Sequence, residues 1–387
     1  MTANVTSIAR VRAAARDRAE LLKINNRTAT TLLVLVVVLV VIGLGATQSA
    51  SSAVAIDQGQ DRFFFFKRQL FGVGIGTIAL LITSRIPYGF YRRLAIPAFV
   101  ASVGLLVAVL AMGPVIGGAQ RWLYLGQFSF QPSELAKVSV IVILAYLLEK
   151  KHKLLTTFGH FVVPVVFTVG VVGGLVMLQP DLGTTIIIGA AAMAVILASD
   201  APFKYVLLLS VMVVGVAWLL AFSDEYRVDR IAGFLDPWGN ASGDGYQLIQ
   251  GYYALSNGGI FGVGLGASRA RWFYLPNAHT DFIFAIIGEE TGLIGAMTVI
   301  GLFVVLALAG WLVASRAPDR FGRMVAAGIT AWLSFQALVN VGGVLGVMPI
   351  TGIALPFVSY GSTALIVSMA ALGILVNIAQ AGVPPKT

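Results

Sequence analysis

Thr31-Leu32-Leu33-Val34-Leu35-Val36-Val37-Val38-Leu39-Val40-Val41-Ile42-Gly43-Leu44-Gly45-Ala46 runs without a single charged side chain. Residues 30–47 therefore read as a helix, because at about 1.5 Å per residue a run of roughly 20 apolar residues crosses a bilayer's hydrocarbon with every backbone group satisfied internally. Nine further runs follow, at 69–84, 95–112, 132–148, 160–178, 182–199, 203–222, 282–314, 323–345 and 361–381. The fold expected is an all-α integral membrane protein, a bundle of about ten transmembrane helices. Composition agrees: 58% of the 387 residues are hydrophobic and 11% charged, with a mean hydropathy of +0.89, against about 25% charged in soluble domains. Transmembrane barrels would show short alternating segments instead.

Basic residues orient the chain. With the N-terminus inside, the basic segment before residue 30, Arg85, Arg92, Arg93, Lys150, Lys151, Lys153, Lys204, Arg316, Arg320, Arg323 and Lys386 all face the cytoplasm, as the positive-inside rule requires. The expected organisation is a basic cytoplasmic tail over 1–29, a membrane domain over 30–381 and a cytoplasmic tail over 382–387. No cleavable signal peptide is read, since the first apolar run follows a long basic segment and is too long for one. The net charge of +9 is then a topology signal and a contact with anionic membrane lipid. No compact basic domain exists to bind nucleic acid.

Several chemistries are excluded. The chain has no cysteine, and its three histidines, His152, His160 and His279, are too scattered for a zinc motif. Neither a GxSxG elbow nor a Walker loop is present. Gly262-Val263-Gly264-Leu265-Gly266 is Gly-rich, but glycines in membrane proteins commonly permit close helix packing.

The polar exceptions collect on the outer side. The largest is a structured external loop over 223–281, between helices seven and eight, with short helices expected at Leu248–Leu255 and Gly258–Gly266. It ends in Leu275-Pro276-Asn277-Ala278-His279-Thr280-Asp281, which leads into apolar Phe282–Ile287 and then Glu289 and Glu290. Asp281 has two readings, an N-cap of helix eight or a functional acid. Glu289 lies about 12 Å further along that helix, where it pairs with a base such as Lys137 or is protonated. Glu290 is treated similarly. In Gln131-Pro132-Ser133-Glu134-Leu135-Ala136-Lys137, Glu134 and Lys137 share one helix face. They form an intrahelical pair, or Lys137 is a phosphate ligand. Arg121 and Trp122 are interfacial anchors or a pyrophosphate contact. Arg230 and His279 are further candidates, and Asp181, after Pro180, reads as a cap.

These segments, with Gly118-Ala119-Gln120-Arg121-Trp122, Gln179-Pro180-Asp181-Leu182-Gly183-Thr184, Tyr246–Gln250, Gly258–Gly266 and Pro349–Ser359, resemble the shape, elongation, division and sporulation (SEDS) family in order along nearly all the spans. The segments at 262–268 and 286–290 are more similar to its division branch than to its elongation branch. Asn277 departs from the family's usual Glu after Leu-Pro, and Ser362 from a second Gly after Tyr-Gly.

The resemblance implies a peptidoglycan glycosyltransferase of the cytoplasmic membrane. Such an enzyme polymerises lipid II into β-1,4 glycan strands at the outer face during septal cell-wall synthesis. It works beside a cognate class B penicillin-binding protein and other divisome membrane proteins. The family implicates the acid at Asp281. Attack of an acceptor 4-hydroxyl on the C1 that bears lipid pyrophosphate inverts the anomeric centre. It needs a general base, here Asp281, and positive charge or a divalent cation, Mg or Mn, at the leaving group. Arg121, Lys137 and Arg230 are candidates for that charge. The alternative is a lipid II flippase, which uses membrane carboxylates such as Glu134 and Glu289 along a transport path.

Overall fold

The computed structural model describes the backbone of residues 2–381 apart from 127, 223–224, 244 and 273. It describes the side chains from residue 24 onward, apart from those positions and 125, 128, 221, 225 and 226. The expected C-terminal tail, 382–387, lies outside the described residues.

The helices are α1 (Thr2–Asp57), α2 (Phe64–Arg85), α3 (Tyr91–Met112), α4 (Pro132–Lys150), α5 (Phe158–Met177), α6 (Leu182–Ala198), α7 (Phe203–Ala221), α8 (Glu225–Leu235), α9 (Tyr246–Gly258), α10 (Ile283–Ser315), α11 (Arg320–Val344) and α12 (Ser362–Gln380). Each expected span coincides with one long helix. Eight are long and apolar enough to cross a membrane. Of the other two, α4 carries the Glu134 and Lys137 charges and α6 is 17 residues long. The boundary expected at residue 29 is not a break, because α1 is one continuous helix of 56 residues.

Helices α11 and α12 form the centre: 67% of the residues in their apolar windows are buried, against 11% for α7 at the rim. Helix α2 packs along α12, α11 lies between α10 and α6, and α1 rests on α10 and α12. The rim stays apolar where it is exposed, as at Val37, Val41, Val214 and Leu219, which is what a lipid-facing surface requires.

Two departures from expectation lie in the loops. The 113–131 segment contains a small hairpin, β1 (Leu123–Leu125) against β2 (Phe128–Phe130), antiparallel with Leu123 opposite Phe130, so the fold is not purely helical. A helix is present at α9, close to the expected 248–255. Residues 259–266 are turns, with no helix.

The eighth run is not one rod. Gly292 sits at φ 69°, ψ −166°, and divides α10 into two pieces. The reason lies in the loop after α9. Val263 N–H donates to the Glu289 carbonyl (3.0 Å) and Gly264 N–H to that of Glu290 (3.1 Å), while Leu293 N–H donates to the Gly259 carbonyl (2.9 Å). The loop thus supplies the partners that a broken helix leaves unmet. Gly292 itself backs onto the Ile260 carbonyl, with no room for a Cβ. Gly292→Ala is expected to lose this docking and lower the melting temperature, since a positive φ with extended ψ is essentially reserved for glycine and costs another residue about 1–3 kcal/mol. Thermal unfolding in detergent reads it.

Candidate active site

Asp281 closes the turn that leads into α10. It is not the helix cap: Phe282 occupies that position, without a side-chain capping bond. The Asp281 backbone is held firmly while its carboxylate is left alone. Asn340 Nδ2, from buried α11, donates to the Asp281 carbonyl (2.8 Å) and to the Ile353 carbonyl (2.7 Å). Gln336, one turn earlier, donates to the Ala354 carbonyl (2.8 Å). Ser359 Oγ donates to the Thr280 carbonyl (2.6 Å) and accepts from Leu355 N–H (2.8 Å), and Tyr360 N–H donates to the His279 carbonyl (3.0 Å). Residues 279–281 are thereby sewn onto 353–360. The backbone of that segment comes close: a Cβ on Gly352 would stand 3.5 Å from Asp281 Oδ2.

The carboxylate is half-buried and makes no hydrogen bond to a described residue. Burial pushes its pKa up to about 6, while Arg230 and Arg121 pull it down and Asp181 adds a smaller push upward. Two cations and a second carboxylate therefore act on it. Asp181 is the N-cap of α6, accepting from Thr184 N–H (3.0 Å) and Thr184 Oγ1 (2.9 Å), so both its oxygens are engaged. Arg121 is fastened to the same turn, donating from Nε to the Gln179 carbonyl (3.1 Å) and from Nη2 to that of Pro180. Trp122 is half-buried beside it, at the start of the hairpin. Arg230 reaches in from α8, its Nη1 3.4 Å from the Ile350 carbonyl, and lines a cavity of about 170 Å³ with Tyr246, Gln247 and Pro276. His279 is a packed ring against Phe65 (5.2 Å) and Tyr360 (5.7 Å). Burial lowers its pKa, which keeps it neutral and unsuited to bind pyrophosphate as a cation.

Four other candidates lie elsewhere. Lys137 is fully buried, bonded to Glu134 (2.8 Å) and to Gln336 (3.0 Å) and facing the Trp332 ring at 4.9 Å. It is walled off from any pyrophosphate. The expected pairing of Glu289 with Lys137 does not form: Glu289 accepts from Ser268 Oγ and from the backbone N–H groups of Arg269 and Ala270, each at 3.2 Å. Loop amides meet it because the break at Gly292 folds the 259–270 loop over this end of the helix. Glu290 bonds Ser49 on α1. Gln336 and Asn340 were missed as site residues. Their signal was present, two amides four apart on one face of an apolar span.

The described residues contain no group of three or more His, Cys, Asp or Glu side chains placed to hold a metal ion. Asn340→Ala removes the bond to the Asp281 carbonyl and the bond that ties Ile353 beside it, and is expected to lower turnover roughly 100-fold, the scale of a 1 Å misplacement. Turnover per folded molecule, with melting recorded in parallel, checks this.

Comparison with known proteins gives the family and the fold. The family model for FtsW, RodA and SpoVE, described as cell cycle protein, matches residues 29–382. The chain is 39% identical over 320 residues to a probable peptidoglycan glycosyltransferase FtsW of Geobacter metallireducens, covering 82% of this chain and 85% of that one. It is 41% identical over 323 residues to stage V sporulation protein E of Bacillus subtilis, covering 83% and 88%. Among solved structures it superposes on a chain of a peptidoglycan synthase complex that coordinates polymerization and crosslinking, with TM-score 0.73, 28% identity and coverage of 90% and 96%. Rod shape determining protein RodA of Thermus thermophilus gives TM-score 0.66 at 28% identity, covering 90% and 95%. The sequence motifs, the helical bundle and these relatives converge, and the chain belongs to the FtsW/RodA/SpoVE family of cell cycle proteins.

Proposed function

We propose that this chain is a peptidoglycan glycosyltransferase that polymerises lipid II into β-1,4 strands at the outer face of the cytoplasmic membrane, in septal synthesis. The observation that carries this reading is Asp281, a carboxylate with a raised pKa and no hydrogen bond to a described residue, its backbone held by Asn340 and its charge offset by two arginines. Asp281 takes the proton of the acceptor 4-hydroxyl as that oxygen attacks C1, and the C1–O bond to the lipid pyrophosphate breaks on the opposite face. Arg230 and Arg121 then offset the charge on the departing pyrophosphate. Asp181, whose two oxygens accept from Thr184 as the cap of α6, forms no bond to the sugar in this reading, in which the reaction is a single inverting displacement. Asp281 is the carboxylate that would hold a magnesium or manganese ion, which would supply positive charge to the departing pyrophosphate.

In this reading ten helices span the membrane, both termini are cytoplasmic and residues 223–281 lie outside. The partner is a class B penicillin-binding protein that cross-links the product, with other divisome proteins around it. The test is reconstitution in vesicles with purified lipid II and the cognate transpeptidase. Glycan strands form with the native chain and not with Asp281→Ala. Lipid II crossing the bilayer with no polymer would favour the flippase instead, and a fully active variant would remove Asp281 from the chemistry.

A further inference from the structure

A second, larger cavity, about 730 Å³, lies between α1, the start of α2, the 265–272 loop and the first piece of α10. None of Asp281, Arg121 and Arg230 lines it. Its apolar wall includes Val41, Ile56, Leu265 and Trp272, which are 63%, 56%, 84% and 50% exposed. Side chains of that kind on a membrane helix and its flanking loop face lipid chains.

One end of the cavity is polar and incompletely satisfied. Arg271 Nη1 donates to Ser49 Oγ (3.1 Å), and Ser49 in turn contacts the buried Glu290 carboxylate. Arg271 Nε and Gln48 Oε1 are buried with no hydrogen-bond partner among the described residues. Gln48 Nε2 is spent on the Arg62 carbonyl (3.2 Å). The Arg62 guanidinium lies over the Phe63 ring at 4.6 Å. Arg62 adjoins the exposed Asp61 and interacts with its carboxylate, and Arg271 reaches Glu290 only through Ser49. The polar end of the cavity is thus left with two guanidinium groups, an N–H in need of an acceptor and a carbonyl oxygen in need of a donor.

We propose that this cavity binds an anionic phospholipid with one phosphodiester and a hydroxylated headgroup, of the phosphatidylglycerol class. The phosphate oxygens accept from Arg271 and Arg62, and a headgroup hydroxyl donates to Gln48 Oε1. The acyl chains follow the Val41–Ile56 face of α1. A choline headgroup has no O–H or N–H to donate and would bring a second cation to the arginines. The bound lipid braces the 265–272 loop, whose Ser268, Arg269 and Ala270 hold Glu289 and whose continuation carries Asp281.

The binding test is independent of the role given to Asp281. The full chain in neutral detergent, with no lipid II present, is titrated with phosphatidylglycerol, phosphatidylcholine or a polyprenyl phosphate while its melting temperature is followed. Phosphatidylglycerol is expected to raise it saturably, with half-saturation about tenfold below that of phosphatidylcholine. Arg62→Gln with Arg271→Gln should erase the preference. Gly45→Phe, which points a ring into open space on α1, should erase the saturable rise with both arginines intact. Should the double variant fail to fold, Arg62→Gln alone and Gly45→Phe carry the test. Equal response to the two phospholipids, a preference that survives these variants, or tighter saturation by polyprenyl phosphate overturns the proposal, the last by giving the cavity to the substrate's chain.

Discussion

Asp281→Asn is expected to lower lipid II polymerisation by a factor of about 100 to 10,000, the usual contribution of a general base, and to leave the protein folded. Both halves follow from the same geometry. The carboxylate makes no hydrogen bond to a described residue, while the backbone is held through Asn340, Ser359 and Tyr360, bonds the substitution does not touch. Burial raises the Asp281 pKa from 3.8 to about 6. The stabilising contribution of the protonated folded form is therefore complete below 3.8 and is lost as pH rises through about 6. Near neutral pH the native chain bears the cost of ionising a half-buried acid, and the asparagine variant does not. Its melting temperature at pH 7.5 should equal or exceed that of the native chain. A variant that is inactive because it has unfolded would instead show Asp281 to be structural.

Lys137→Met should be the most destabilising substitution in the bundle. The ammonium is the counter-ion of Glu134, which is 5% exposed, and it also bonds Gln336. Removing it leaves a buried carboxylate unpaired, at a cost of about 3–5 kcal/mol. The loss also spreads toward the site, because Gln336 holds the Ala354 carbonyl in the segment packed against Asp281. The double variant Glu134→Gln with Lys137→Met removes both charges and should recover most of the lost stability. Thermal unfolding of the two variants separates the explanations. A pyrophosphate-binding lysine would give a stable but inactive single variant, with no rescue by the second change.

The apolar runs were sufficient to read the helices, because a bilayer allows a long uncharged segment little other structure. They could not reveal the break in α10. Gly288, Glu289, Glu290 and Thr291 interrupt the apolar run just before Gly292, but the break itself depends on the 259–264 loop, which meets the helix only in three dimensions. The same loop explains why Glu289 finds backbone partners and not Lys137. Arg121 was legible as a charge in the 113–131 segment, and Arg230 and Asp281 as charges in the 223–281 segment. Asp181 was legible only as a cap, and the fold adds its charge to the surroundings of Asp281. Gln336 and Asn340 carry no charge to mark them in an apolar span, yet the frame of the site is made by these amides.

The most direct measurement is the pH dependence of kcat/KM for lipid II polymerisation by the reconstituted chain and its partner. An Asp281 base with its pKa at about 6 must ionise to act. Activity should therefore climb as pH rises, pass half its plateau near pH 6 and level above pH 7. A profile flat from pH 5 to 8, or a midpoint near pH 4, would contradict a half-buried aspartate as the base.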